Sequence, residues 1–265
     1  EIGVRLVGSE MCIRDSKCGH RRPQRGAQTK GRCTIRNFRP PFSGRNSRSN
    51  FTTGYATGLH RLHQHEYTMK RICVTNRLLC QEDFLSRVQK IAAAGADAIL
   101  LREKDLSETQ YAILAKQVQE ICLLYNVSLL LNSFWQTAAT MHLPVQLPMP
   151  QFQKLSSADR QEIPAVGVSV HSIAEAHYAQ AHHADWLIAG HIFPTACKPD
   201  LPPRGIPFLQ QICDAVSIPV YAIGGITAEQ QECIQAAGAS GCCVMSQWMT
   251  CANPQTELQK WRNFS

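Results

Sequence analysis

From Met69 onward the chain alternates short apolar runs with longer stretches of helical period, and this alternation limits the fold more than any other feature. Apolar runs at 72–75, 98–101, 127–131, 165–170, 186–189, 220–223 and 241–244 read as strands, and a weaker run at 141–145 lies among three prolines. Helical stretches at 82–94, 108–125, 134–140, 173–181, 208–216, 228–237 and 254–261 separate them. Gly95 suits the left-handed residue that closes a helix, and Ser107 suits a cap, with the acidic Glu108 near the positive end that follows. Strands apolar throughout, rather than at alternate positions, are covered on both faces, as parallel strands are. Eight such units in just under 200 residues predict a compact (β/α)8 TIM barrel. A doubly wound open sheet has the same alternation and is the alternative.

Residues 1–68 have no such period. Arg21-Arg-Pro-Gln-Arg-Gly and Arg39-Pro-Pro-Phe-Ser-Gly-Arg combine charge, Gly, Pro and Ser, so burial cannot offset the entropy of ordering the chain. The expected organisation is a disordered basic extension over 1–68 and a single barrel domain over 69–265. Glu1 to Ser16 also resembles translated adapter sequence, which would make the extension foreign to the protein and Met69 its natural start. The formal net charge of +7 divides accordingly: residues 1–68 carry 13 Lys/Arg against 4 Asp/Glu, leaving 14 against 16 in the remainder. Nucleic-acid binding would rest on the extension alone, and the barrel is expected to bind no nucleic acid.

The 12 cysteines show neither the spacing of a disulfide framework nor any Cys-x-x-Cys, and several lie inside apolar runs. They read as buried free thiols of a cytoplasmic protein. No apolar run approaches the length of about 20 residues that spans a bilayer, so no membrane association is expected. Two near-motifs in the extension carry nothing. Gly26-Ala-Gln-Thr-Lys-Gly31 is followed by Arg32-Cys33 where a P-loop needs Lys and Ser/Thr, and His65-Glu66 is followed by Met69 where a zincin needs its second histidine.

In such a barrel the chemistry sits where strands end and helices begin. His171 follows the fifth strand directly, and an imidazole with an unperturbed pKa of about 6.5 can both take and return a proton. Arg102 and Lys104 follow the second strand and Lys198 follows the sixth, supplying positive charge. Gly224-Gly225 and Met245-Ser246 follow the seventh and eighth strands, where barrels commonly hold phosphate through backbone amides. A glycine pair also occurs wherever a turn needs it, and charges beside a strand are often only a solvated rim. His177, His182 and His183 have no carboxylate or thiolate partner in the pattern and are assigned no role.

Three separated motifs, Val166-Gly-Val-Ser-Val-His171-Ser, Gly190-His191-Ile-Phe-Pro-Thr195-Ala-Cys197-Lys198 and Ile218-Pro-Val-Tyr-Ala-Ile-Gly-Gly-Ile-Thr227, resemble the thiamine phosphate synthase superfamily and, within it, the thiazole tautomerase (TenI) branch. The resemblance covers Met69 to about Phe264. It implies an isomerase that aromatises a dihydrothiazole carboxylate phosphate in thiamine biosynthesis, with His171 as the catalytic proton carrier. It also implies that Arg102, Lys104, Asn132, Thr195, Lys198, Gly224, Gly225, Met245 and Ser246 bind a small thiazole phosphate, and that the protein is a homodimer. In the synthase branch, an Asn-Asp pair after strand three and an acidic residue after strand four hold Mg²⁺. The chain has Asn132-Ser133 and His142-Leu-Pro-Val-Gln-Leu147 there, with Ser133 and Leu147 in place of carboxylates, so no metal and no cofactor are expected. The alternatives are thiamine phosphate synthase itself, a transferase, and a phosphate-binding barrel with a regulatory role and no catalysis.

Because the barrel pattern begins at Met69, a chain starting there is expected to keep the thermal midpoint and the activity of the 265-residue chain. A clear drop in midpoint on removal of 1–68, followed by circular dichroism, would show that the extension packs on the barrel.

Overall fold

Strand pairing runs from the first strand to the eighth and back to the first, every pair parallel, so the sheet closes on itself and has no edge. The structure, a computed structural model, describes residues 69–196 and 199–261. The expectation of disorder over 1–68 therefore lies outside the described residues.

The first half of the barrel consists of β1 (Lys70–Val74), α1 (Phe84–Ala93), β2 (Ala98–Leu101), α2 (Glu108–Leu124), β3 (Ser128–Asn132), α3 (Trp135–Met141) and β4 (Val145–Pro148). Two short helices, α4 (Met149–Phe152) and α5 (Ser157–Glu162), lead to β5 (Val166–Val170). The second half is α6 (Ile173–Ala181), β6 (Trp186–Gly190), α7 (Gly205–Ala215), β7 (Val220–Ile223), α8 (Gln231–Ala236), β8 (Gly241–Val244), α9 (Ser246–Thr250) and α10 (Pro254–Gln259). The arrangement is the (β/α)8 TIM barrel that the alternation predicts, and the open-sheet alternative is excluded by the β1–β8 pairing.

The fourth strand is displaced from its expected place at 141–145. His142 adopts a left-handed conformation (φ 51°) that closes α3, so the strand begins only at Val145. Its inward-facing residue is the polar Gln146, which hides it from a search for apolar runs. The helix expected over 228–237 opens instead as a 3₁₀ turn, Ala228–Gln230, capped reciprocally by Thr227 and Gln230, before α8 begins. Helices α4, α5 and α9, four to six residues long, lie outside the helical stretches expected from the pattern.

Along each strand the side chains alternate between the barrel interior and the helix layer. Ile72, Val74, Ala98, Leu100, Leu130, Trp186, Ile188, Tyr221 and Cys243 form one buried cluster inside the sheet. Their neighbours Cys73, Ile99, Leu101, Leu131, Val145, Leu147, Leu187, Ala189, Ala222 and Val244 belong to the larger cluster beneath the helices. No helix among the described residues is long and apolar enough to cross a membrane, and the described cysteines are all free.

Trp186, fully buried, is among the largest side chains filling the interior, and Gly167 on the neighbouring strand makes room for it. A Cβ at Gly167 would lie 2.0 Å from Trp186 Cε2 and 2.3 Å from Gln146 Oε1. Gly167→Ala must push the indole aside, and overpacking of this kind costs about 1–3 kcal/mol. Urea unfolding of the variant is expected to show that loss, and an unchanged midpoint would mean that the indole can move aside at no cost.

Candidate functional site

A cavity of about 640 Å³ opens at the C-terminal ends of the strands. Arg102, Lys104, Asn132, His171, Thr195, Gly224, Gly225, Met245 and Ser246 all line it, so the fold brings together the residues singled out in the sequence. Lys198 lies outside the described residues. Much of the floor is apolar, made of Val74, Leu100, Ile188, Ile223 and Cys243. Burial pushes the Cys243 thiol well above its ordinary range, so it stays neutral and is no nucleophile at physiological pH.

Strand period continues past the end of β2 and sorts its charges. Arg102 and Lys104 line the cavity, while Glu103 between them is buried on the other side. The Glu103 carboxylate accepts from Thr75 Oγ1 at 2.7 Å and from the Arg77 amide at 3.1 Å, and pairs with Arg77 Nη1 at 3.3 Å. Thr75 Oγ1 in turn accepts from the Arg102 amide at 2.9 Å. The acidic residue thus holds the loop that presents the two cations, and its own charge is already satisfied within the protein.

His171 Nδ1 lies 2.8 Å from the Gly190 carbonyl. A carbonyl can only accept, so Nδ1 carries the proton in the neutral ring and Nε2 is left as an acceptor. The backbone amide of His171 donates to Glu175, whose own amide is capped by Ser172, so the start of α6 holds the residue in place. His191, also at the cavity wall, is engaged differently: its Nε2 contacts the Leu201 carbonyl at 3.1 Å.

Gly224 and Gly225 have φ of 105° and 64°, which favour glycine, and both meet the loop after β6. A Cβ at Gly224 would be 2.4 Å from His191 Cβ, and one at Gly225 would be 2.1 Å from the Pro194 carbonyl. Packing alone therefore requires glycine here, whatever the loop binds. The segments that follow are a 3₁₀ turn and the five-residue α9, so an anion at these loops would depend on nearby amides more than on a long helix dipole.

Sequence reasoning missed Gln146 and Ser169, which lie on adjacent strands at the cavity floor. Trp186 Nε1 donates to Gln146 Oε1 at 2.8 Å, and Gln146 Nε2 donates to Ser169 Oγ at 3.0 Å. Asn132 Nδ2 donates to the Gln146 carbonyl at 3.2 Å, and Ser133 Oγ donates to Asn132 Oδ1. A polar residue at an inward position of an otherwise apolar strand, as in Val145-Gln-Leu and Val168-Ser-Val, was the signal that could have found them.

The residues at the mouth do not fit a magnesium site. Among the described residues no Asp or Glu lines the cavity, and no cluster of three or more His, Cys, Asp or Glu able to hold a metal occurs. A hard cation needs oxygen ligands with charge, which Asn132, Ser133 and Gln146 do not supply. Leu147 does not occupy a ligand position as the sequence suggested; it points into the helix layer, and Gln146 and Pro148 flank it at the cavity. Asp159 caps α5 with Ser156 and is not part of the cavity lining.

Comparison with known proteins settles which relatives share this barrel. The family model described as Thiamine monophosphate synthase matches residues 72–248. Thiamine-phosphate synthase 2 of Streptococcus pneumoniae is 34% identical over 193 residues, covering 70% of this chain and 90% of that protein. Thiamine-phosphate synthase of Methanobrevibacter smithii is 34% identical over 187 residues, covering 69% and 88%. Among solved structures, a thiamine phosphate pyrophosphorylase from Pyrococcus furiosus superposes with a TM-score of 0.64 at 25% identity, over 74% of this chain and 95% of that one. The family model and the two curated relatives carry the synthase name, the solved structure is named a pyrophosphorylase, and together they overturn the expectation of a thiazole tautomerase and of isomerase activity. That expectation leaned on a few loop residues, His171 and the absent carboxylates at 133 and 147, whereas the match runs through all eight strands over residues 72–248. The chain belongs to the thiamine monophosphate synthase family.

Proposed function

We propose that the protein is a thiamine-phosphate synthase, a cytoplasmic transferase that joins hydroxymethylpyrimidine pyrophosphate to thiazole phosphate. The thiazole ring nitrogen forms a bond to the pyrimidine methylene carbon as the bond from that carbon to the pyrophosphate oxygen breaks. Pyrophosphate leaves with the bonding electrons. The observation that carries this reading is the division of the mouth: the cations Arg102 and Lys104 lie at β2, three strand steps from the glycine loop after β7, with an apolar floor between. Two phosphate-bearing rings brought together across one apolar floor need such an arrangement.

In this reading Arg102 and Lys104 hold the pyrophosphate and stabilise the charge that grows as it departs. Lys198 joins them by the family resemblance. The loops of Gly224, Gly225, Met245 and Ser246 receive the thiazole phosphate, and Asn132 and Thr195 form polar wall. His171, with Nε2 available as an acceptor, takes a hydrogen bond from the amino group of the pyrimidine. Since the donor set does not fit a divalent cation, neutralisation of the pyrophosphate is assigned to the protein's own cations.

Incubating the protein with both substrates is expected to release thiamine phosphate and pyrophosphate in equal amounts, and absence of product would overturn the reading. Arg102→Ala removes charge-assisted hydrogen bonds worth about 1.5–3 kcal/mol, so KM for the pyrimidine pyrophosphate should rise by roughly 10- to 100-fold. KM for thiazole phosphate should stay close to its original value, and an equal rise in both would place Arg102 elsewhere in the reaction. Calorimetric titration with magnesium chloride alone is expected to show no saturable binding at the mouth.

A further inference from the structure

Arg87 and Glu257 are buried charged side chains, and neither lines the cavity. Burying a charge is costly unless it is paired, so the partners of these two residues matter. Both meet α9, the five-residue helix that opens at Ser246. Arg87, from α1, pairs through Nε with Glu82 Oε1 at 2.8 Å and donates from Nη1 to the Cys251 carbonyl at 2.7 Å, just past the end of α9. Carbonyls at that end have no partner within the helix, and a cation there also suits its dipole. Glu257, from α10, accepts from Gln247 Nε2 at 2.6 Å and from Lys260 Nζ at 2.8 Å. A carboxylate can only accept, so the Gln247 amide is fixed with its nitrogen toward α10.

We infer that Arg87 and Glu257 are positioning residues that clamp α9 against α1 and α10 and so hold Met245 and Ser246 in place at the cavity mouth. The inference deepens the transferase reading and rests on it, since that reading gives this loop the thiazole phosphate. A five-residue helix does not hold itself in water, where isolated helices need about 12–15 residues, so its place is set by what it packs on. Trp248 and Met249 form its buried face, with Trp248 edge-on to Trp261 at 5.6 Å between ring centres. Apolar burial has no direction and leaves a short helix free to turn or slide, whereas hydrogen bonds at both of its ends do not. Gln247 supplies the first of those bonds beside the loop, and the Cys251 carbonyl supplies the second.

The test uses Glu257→Ala, which removes the acceptor, Glu257→Gln, which keeps one, and Arg87→Lys, whose single ammonium cannot bridge Glu82 and the Cys251 carbonyl as the guanidinium fork does. Calorimetry on the full chain would use thiazole phosphate and hydroxymethylpyrimidine pyrophosphate as separate probes, well below the thermal midpoint recorded for each variant. Glu257→Ala and Arg87→Lys are expected to bind thiazole phosphate about ten-fold more weakly, with the pyrimidine pyrophosphate within about two-fold of the unmodified protein. Glu257→Gln is expected to recover thiazole phosphate affinity to within about three-fold, even where its midpoint stays below that of the unmodified protein. A merely structural role would not divide in this way: it would lower the midpoint and spare both affinities, or weaken both probes together, and either result overturns the proposal. If Glu257→Ala weakens thiazole phosphate binding and a folded Arg87→Lys does not, the role of Arg87 fails. Should Glu257→Ala or Arg87→Lys fail to fold, the other carries the test. An unmodified protein that binds no thiazole phosphate fails the transferase reading and the proposal with it, and that outcome is distinct from normal binding with unaffected variants, which fails the proposal alone.

Discussion

The mouth of this barrel depends on how its interior is filled one level below. Trp186 occupies the space inside the sheet only because Gly167 has no Cβ, and the indole then supplies the N–H that orients Gln146. Gln146 has a second task, since its backbone carbonyl receives the Asn132 side chain and the Ser133 amide across the β3–β4 junction. One packing decision between β5 and β6 therefore propagates through hydrogen bonds to the floor of the cavity. Buried polar groups linked in this way are costly to disturb, because breaking one link leaves others unpaired.

A second constraint acts at the rim. The two-residue period of β2 carries past its end, placing Arg102 and Lys104 toward the cavity and Glu103 against Thr75 and Arg77. An acidic residue between two cations would ordinarily offset their field. Here its charge is spent on Arg77, itself paired with Asp105, so the cavity side of the loop stays positive. Tyr111 braces the same region, donating to the Leu101 carbonyl at 2.6 Å and accepting from the Asn132 amide at 2.9 Å. The ends of β2 and β3 are thereby locked together beneath the residues proposed to meet substrate.

The correction of branch shows where local reading loses force. His171 and the loops at 133 and 147 attracted attention because histidine and missing carboxylates have obvious chemical meaning. Leu147 proved to face the helix layer, where its character says nothing about metal binding. His171 is held by the Gly190 carbonyl and by the capped start of α6, an arrangement that positions an acceptor without specifying a reaction. Relatedness along the barrel, by contrast, draws on all eight strands and the helices between them at once.

Strand number, parallel order and the strand-end residues that line the cavity were legible in the chain, because apolar runs and helical patterns are local and a parallel barrel puts its chemistry at one end. That reading placed Arg102, His171 and the Gly224-Gly225 loop at strand ends, the family resemblance added Asn132, and all of them line the cavity. The displaced fourth strand, the need for glycine at 167 and the hydrogen bond from Gln146 to Ser169 were not legible. Each depends on which residues from distant parts of the chain meet inside the closed sheet: Gln146 is 40 residues from Trp186 and 23 from Ser169. Local sequence sets which way a side chain faces, whereas what it meets there, and so the direction of each hydrogen bond, is settled only when the barrel closes.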